Sequence, residues 1–542
     1  MKLQFKHQKF QADAAKAVVD VFAGQPYLTP SYLIDQGRSA QHQWGVEVFS
    51  TGWRNERIVP ELSDGIVLDH IQKIQRKNQI APSPRLEGRY NLTIEMETGV
   101  GKTYTYIKTM YELNRAYGWS KFIVVVPSIA IREGVYKSFQ VTQEHFAEEY
   151  GKKIRFFIYN SAQLTEIDRF ASDSAINVMI INSQAFNSSK NQNIISRRLD
   201  SFRSRRPIDI IAKTNPILII DEPQSVEGVK TKDNLKQFNP LFTLRYSATH
   251  KADSIYNMVY RLDAMEAYNK RLVKKIAVKG ITETGTTGTE GFVYLQSINL
   301  SKADPTATIQ FDCKSGTTIK KVTRTVGIGY NLYDNSNGME EYRNNYTVSF
   351  IDGRDDSVSF VNGLKIFAGD VIGKVSEDQI RRIQIRETIL SHIERERQLF
   401  HKGIKVLSLF FIDEVAHYKQ YDAAGQPFNG IFADMFEAEY KAVLDSFQIG
   451  LGEEDYIRYL RSIRPEDTHA GYFSIDKKGH MTNSKLGDKK EKTSDDIDAY
   501  DLIMKNKELL LDRDPKRSPV RFIFSHSALR EGWDNPRWLR PS

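Results

Sequence analysis

From Leu92 to about Val259 the chain alternates short, unbroken apolar runs with stretches whose apolar positions recur at helical spacing. The runs are Leu92–Ile94, Phe122–Val126, Ile154–Ile158, Val178–Ile181, Ile217–Ile220 and Phe242–Tyr246. A continuous apolar run suits a strand buried on both faces, and strands that alternate with helices build a mostly parallel sheet covered by those helices. Ahead of this region, Phe10–Phe22 sets Ala14, Ala17, Val18 and Val21 on one side of an amphipathic helix. Asn187–Arg206 is polar and basic, with SSKNQN followed by SRRLDSFRSRR, and predicts an exposed loop and helix.

The pattern changes between Gly280 and Lys374. Stretches such as Tyr346–Phe350 and Ser357–Val361 alternate apolar and polar residues between Gly, Asn and Asp punctuation, which predicts an antiparallel β insertion. Ile380–Phe400 then places Ile380, Ile383, Leu390, Ile393 and Phe400 close to one helical stripe. A second buried run, Lys405–Phe411, starts another α/β unit, and the dense mixed charge of residues 476–501 predicts an exposed loop. The expected division is 1–262, 263–379 and 380–542, with no internal repeat. A chain of 542 residues is too long for one core, which agrees with several domains.

Composition narrows the class. With 76 basic and 68 acidic residues the net charge is +8, a mild surplus that permits a nucleic-acid partner without requiring one. The single cysteine, Cys313, excludes an intramolecular disulfide framework and a multi-cysteine zinc site, and it suits a packed thiol in a reducing compartment. No apolar run approaches a membrane span, and the first ten residues, MKLQFKHQKF, lack a secretory signal's apolar core. A cytoplasmic protein is expected. The arginines at 381, 382, 386, 395 and 397 are expected to form a solvated helix face.

Chemistry concentrates in three segments. The first is Glu95-Met96-Glu97-Thr98-Gly99-Val100-Gly101-Lys102-Thr103, after one predicted strand and before a helix. A triphosphate needs closely spaced backbone N–H donors, which glycines allow without steric clash. In that arrangement Thr98 to Thr103 cradle ATP, Lys102 reaches the β- and γ-phosphates, and the Thr103 hydroxyl coordinates Mg²⁺. The second is Ile217–Ile220 followed by Asp221-Glu222-Pro223-Gln224. There Asp221 can hold the metal and Glu222 can polarise the attacking water, with Gln224 beside it as a further catalytic candidate. The third, Leu244-Arg245-Tyr246-Ser247-Ala248-Thr249, ends another strand in hydroxyls, so Ser247 and Thr249 are candidate coupling residues.

In that order the three segments resemble the first motor domain of superfamily 2 helicases and translocases. METGVGKTYTYIKT, VVVPSIAIREGV, IIDEPQSVEG, LRYSATH, KVLSLFFIDEVAHY, GYFSIDKKG and FIFSHSALREGWDNP together resemble the restriction (Res) subunit of type III restriction–modification enzymes, over nearly the whole chain. The resemblance implies two RecA-like α/β motor domains around the β-rich insertion, ATP hydrolysis coupled to movement on duplex DNA, and a DNA methyltransferase (Mod) partner that reads the sequence. It implies that Gln11 contacts adenine, that Pro127 and Ser128 meet the DNA backbone, and that Gly532 and Asp534 close on the nucleotide. Met96, where the general loop has glycine, is a variation of this family.

Two departures stand out. The arginine box that follows in superfamily 2 motors has no match, since Arg537 and Arg540 do not fit it, and no acid–acid–lysine nuclease set is present. The expectation is a motor portion that binds ATP, hydrolyses it slowly alone and cuts no DNA. An RNA helicase on the same fold and a non-catalytic DNA-binding or assembly fragment are the rival readings.

Overall fold

A computed structural model describes residues 5–29, 31–33, 52–88, 90–187, 194–202, 204–226, 228–250, 254–274, 283–284, 291–300, 304–373, 377–446, 454–476, 479–483 and 507–526. The chain forms two compact units, one running to Lys275 and the other beginning at Ile276.

The first unit is built on a seven-stranded sheet in which every pairing is parallel. Its strands are β1 (Asn91–Met96), β2 (Lys121–Val126), β3 (Arg155–Ile158), β4 (Asn177–Asn182), β5 (Ile217–Asp221), β6 (Thr243–Ser247) and β7 (Met258–Leu262). They lie in the order β3-β4-β2-β5-β6-β1-β7. All six predicted apolar runs are strands of this sheet. The seventh, β7, is an edge strand whose pattern is broken by exposed Arg261.

Side chains leave a strand alternately to its two faces, so each run feeds two cores. In β2, Phe122, Val124 and Val126 join one core while Ile123 and Val125 join the other. The first core is closed by α1 (Lys9–Val21), α2 (Asp64–Lys77), α3 (Lys102–Tyr117) and α4 (Ile129–Tyr150). The second is closed by α5 (Thr165–Ser172) and α6 (Pro207–Lys213). The predicted loop and helix near 187–206 contribute more than expected. Ile195 and Phe202 are buried in the second core, and Arg205 pairs with Asp168 at 2.9 Å while lying over the Phe202 ring. The arginine-rich pattern hid these anchors because two apolar residues carry the packing.

The second unit opens with the β-rich region. Strands β8 (Val293–Asn299), β9 (Thr306–Ser315) and β10 (Thr318–Val326) form an antiparallel meander, extended beyond β8 by β14 (Val371–Ile372) and Glu283–Thr284. A separate antiparallel sheet holds β11 (Val348–Asp352), β12 (Ser357–Phe360) and β13 (Lys365–Phe367). Cys313 lies on β9, half-buried, with its thiol near the Asn335 carbonyl.

The long helix α7 (Glu377–Phe400) follows, burying Ile383, Ile385, Ile389 and Ile393. Its arginines are less free than the sequence suggested. Arg382 and Arg386 both pair with Glu439, at 2.9 and 3.0 Å, and Arg386 also reaches Gln296. Beyond it, β15 (Ser408–Phe411), β16 (His469–Tyr472) and β17 (Phe522–Ser525) form a second parallel sheet with β17 in the centre. Only the last four residues of the run at 405–411 are strand, and Phe411 is exposed; among the described residues β15 pairs with β17 alone. Helices α8 (Ile431–Ser446) and α9 (Glu454–Arg461) contribute to the same core. Most of the expected charged loop, residues 484–501, lies outside the described residues. No helix among the described residues is long and apolar enough to cross a membrane.

One buried ion pair ties α7 to the central strand of this sheet. Arg521, immediately before β17, is fully buried and donates to Glu396 Oε2 at 2.9 Å. Tyr456 also donates to Glu396, at 3.0 Å. Burial pushes the Glu396 carboxyl up, but the Arg521 charge, the nearby His392 ring and the hydrogen bond from Tyr456 outweigh it and hold the group below its ordinary 4.5. Removing one partner of such a pair strands the other charge in a dry core, at a cost of about 3–5 kcal/mol. Arg521→Met is therefore expected to lower the stability of the second unit by about that amount in urea unfolding. A depressed carboxylate pKa stabilises the fold above the unfolded value, so this contribution is expected to fade as pH falls below about 4.5.

Candidate active site

The carboxyl ends of β1, β5 and β6 form one edge of the first sheet, and the chemistry gathers there. Strand β1 stops at Met96 and α3 starts at Lys102, leaving five residues to make the turn. Gly99 and Gly101 have φ of +84° and +89°, a left-handed backbone that glycine adopts without strain. No side chain caps α3, so the N–H groups of its first turn face outward as an anion site. Nothing lies within 4 Å of where a Cβ on Gly99 would stand, which leaves that side of the turn open to a phosphate chain. The other side is braced. Gln11, from α1, donates its amide to the Val100 carbonyl at 2.9 Å, and a Cβ on Gly101 would stand only 2.7 Å from that same amide nitrogen.

Strand order does the rest. Because β6 lies between β1 and β5, the residues ending β5 and β6 face the first turn of α3. Lys102 forms an ion pair with Glu222 Oε1. The other carboxylate oxygen accepts from Gln224 Nε2 and from Ser247 Oγ, each at 2.6 Å. Ser247 Oγ also lies 2.9 Å from Gln224 Oε1 and 2.8 Å from the Thr249 carbonyl; its one proton can serve only one of these acceptors at a time. Thr249 enters through its backbone, whose N–H donates to Ser247 Oγ at 3.1 Å, and its side chain is exposed. Glu222 itself has φ of +52°, with its N–H bonded to the Tyr246 carbonyl at 2.9 Å.

Burial raises the Glu222 pKa, but the Lys102 ammonium and the hydrogen bonds from Lys102, Ser247 and Gln224 overcome it, so the carboxyl titrates below its ordinary 4.5. It is anionic throughout the neutral range. Asp221 is buried at the end of β5, and Tyr106, one turn into α3, donates to it at 3.4 Å. Thr103 sits half-buried in the first turn of α3. The donor set of Thr103 hydroxyl and Asp221 carboxylate, both oxygen, fits a hard divalent cation.

The remaining predicted residues divide. Pro127 and Ser128 follow β2 at the same edge of the sheet, and Ser128 Oγ caps α4 by accepting from the Ile131 N–H at 3.3 Å. Gly532 and Asp534 lie outside the described residues. Sequence reasoning overlooked Tyr106 and His250. The first was readable as the residue one helical turn after Lys102. The second closes the LRYSATH segment, where burial lowers its pKa and its ring contacts the Ile94 carbonyl at 3.4 Å.

A helix end open to an anion, with a lysine on it and a strand-end carboxylate pair two strands away, is the architecture of P-loop nucleotide-binding proteins. The relatives narrow it further. Residues 58–252 match the family model described as "Type III restriction enzyme, res subunit". The chain is 30% identical over 505 residues to the EcoP15I Res subunit of Escherichia coli, covering 88% of this chain and 48% of that protein. It is 30% identical over 498 residues to the EcoPI Res subunit of Escherichia phage P1, covering 86% and 47%. Over most of its length this chain is thus similar to type III Res subunits, and it spans about half the length of the curated relatives it matches. The SWI2/SNF2 ATPase core of Sulfolobus solfataricus in complex with dsDNA superposes with a TM-score of 0.21 and 11% identity, over 35% of this chain and 33% of that one. That likeness is too slight to bear on function.

Gln11→Ala removes the brace under Val100 without touching Lys102 or Glu222. The expected result is weaker nucleotide binding, by about fivefold to tenfold for one lost hydrogen bond of roughly 1 kcal/mol, read by titration with a fluorescent ATP analogue.

Proposed function

We propose that this chain is the motor portion of a type III restriction endonuclease, hydrolysing ATP to move on duplex DNA and so license cleavage by a nuclease. The observation that carries the reading is the Glu222 carboxylate, held by residues of all three predicted segments at once: Lys102, Gln224 and Ser247. Similarity to Res subunits supplies the biological setting.

In this reading the α3 N-terminus and Lys102 bind the phosphates and Gln11 adds the adenine contact. Thr103 and Asp221 hold Mg²⁺, which when bound neutralises phosphate charge. Binding a polyphosphate draws Lys102 toward the incoming charge, and Glu222 is freed to take a proton from the attacking water, with Gln224 beside it to orient that water. Ser247, bonded to the same carboxylate and to Thr249, reports the change to the rest of the chain. Pro127 and Ser128 meet the DNA backbone, while Gly532 and Asp534 act from the second motor domain. The proposed division remains 1–262, 263–379 and 380–542, the proposed partner is a DNA methyltransferase (Mod) subunit, and the proposed location is the cytoplasm.

Lys102→Ala is expected to abolish ATP turnover in the assembled complex. Glu222→Gln keeps the shape but cannot serve as base, so ATP affinity is expected to persist while kcat falls by about 10²–10⁴. Wild-type turnover in either variant would overturn the site assignment. ATPase stimulation by single-stranded RNA in place of duplex DNA, measured with Mod present, would transfer the chain to the RNA helicases.

A further inference from the structure

Away from the phosphate turn, three potential metal ligands converge from separate segments. His7 precedes α1, while His145 and Glu149 lie one turn apart on α4. His7 Nδ1 is 3.9 Å and His145 Nε2 is 4.0 Å from the same oxygen, Glu149 Oε2, and all three ligand atoms lie within 4.8 Å of one another. We propose that His7, His145 and Glu149 form a binding site for a zinc-like divalent cation that fastens the N-terminal segment to α4.

The donor chemistry favours such a cation. Two imidazoles and one carboxylate suit Zn²⁺ and its late first-row neighbours, whereas Mg²⁺ and Ca²⁺ prefer all-oxygen shells. Zinc ligands lie about 2.0–2.1 Å from the metal and so roughly 3.3 Å apart in a tetrahedron. The present spacing therefore needs only a small contraction, and the His7 side chain is 65% exposed and free to swing inward. Glu149 can serve two partners, because Lys108 binds its other oxygen, Oε1, at 2.6 Å. Around the site, Phe5 packs against His145 and Tyr104, giving an apolar wall on one side.

One group competes with the metal. The Tyr104 hydroxyl is 2.8 Å from His145 Nε2, on the atom that would bind the cation. Removing that hydroxyl frees the nitrogen, so it provides a test that a purely structural cluster would not pass. The site also bears on the nucleotide turn, since Gln11 lies four residues beyond His7 on the segment that the cation would fix.

The experiment uses the full chain, stripped with chelator and titrated with CoCl₂, then with ZnCl₂ in competition. One equivalent of Co²⁺ is expected to give the visible bands of a four-coordinate site, which Zn²⁺ displaces, and Zn²⁺ is expected to raise the melting midpoint. His7→Ala and His145→Ala should each weaken Co²⁺ binding by more than about tenfold, whereas Tyr104→Phe should strengthen it. His7→Ala changes an exposed side chain, so its fold is checked against the wild-type melting curve without metal. Absence of a Co²⁺ spectrum, or equal binding by wild type and His7→Ala, would overturn the proposal. These outcomes do not depend on ATP turnover, so they stand apart from the motor assignment.

Discussion

Parallel register is the constraint on which the candidate site depends. In a parallel sheet every strand finishes at the same edge, so chemistry placed just after a strand meets chemistry placed just after its neighbours. The order β5-β6-β1 brings Glu222, Ser247 and Lys102 within hydrogen-bonding distance although they are distant in the chain. An antiparallel neighbour at β6 would have sent Ser247 to the far edge. The two cores that flank the sheet thus position the site as well as stabilise the fold.

This constraint explains what could be read from the residues alone. Apolar runs marked six of the seven strands: in β2, β4, β5 and β6 burial on both faces leaves no polar alternation to confuse, whereas β3 kept an apolar run although it is only partly buried. The run at 405–411 misled for the converse reason: among the described residues its strand lies at an edge, and Phe411 is apolar yet exposed. The site's residue types were legible as segments, since Gly99, Gly101, Lys102, Asp221 and Glu222 have few other uses in that arrangement. Their mutual contacts were not, because strand order is set by long-range packing. The same limit concealed the buried pair of Arg521 and Glu396, which lie far apart in sequence and whose residue types usually signal surface.

The second unit handles charge differently from the first. In the first, buried polar groups sit at both ends of the sheet: Asp221 and Ser247 at the functional edge, and Lys121 and Asn55 at the opposite one, where they bond backbone groups. In the second, Glu396, His392, Tyr456 and Arg521 sit inside the core, between α7 and the central strand. Such a network adds little net stability over apolar residues of equal volume, yet it penalises any shift of α7 along the sheet. A helix keyed to one position is suited to transmit force between a β-rich region, which it touches through Glu387 and Tyr294, and the parallel sheet behind it.

The backbone of Glu222 leads to a different kind of consequence. A φ of +52° is unfavourable for any residue with a side chain. Glycine would relax the chain there, and it would also delete the proposed base. Folding and activity therefore pull in opposite directions at this one position, and a search for more stable variants would tend to converge on an inactive protein.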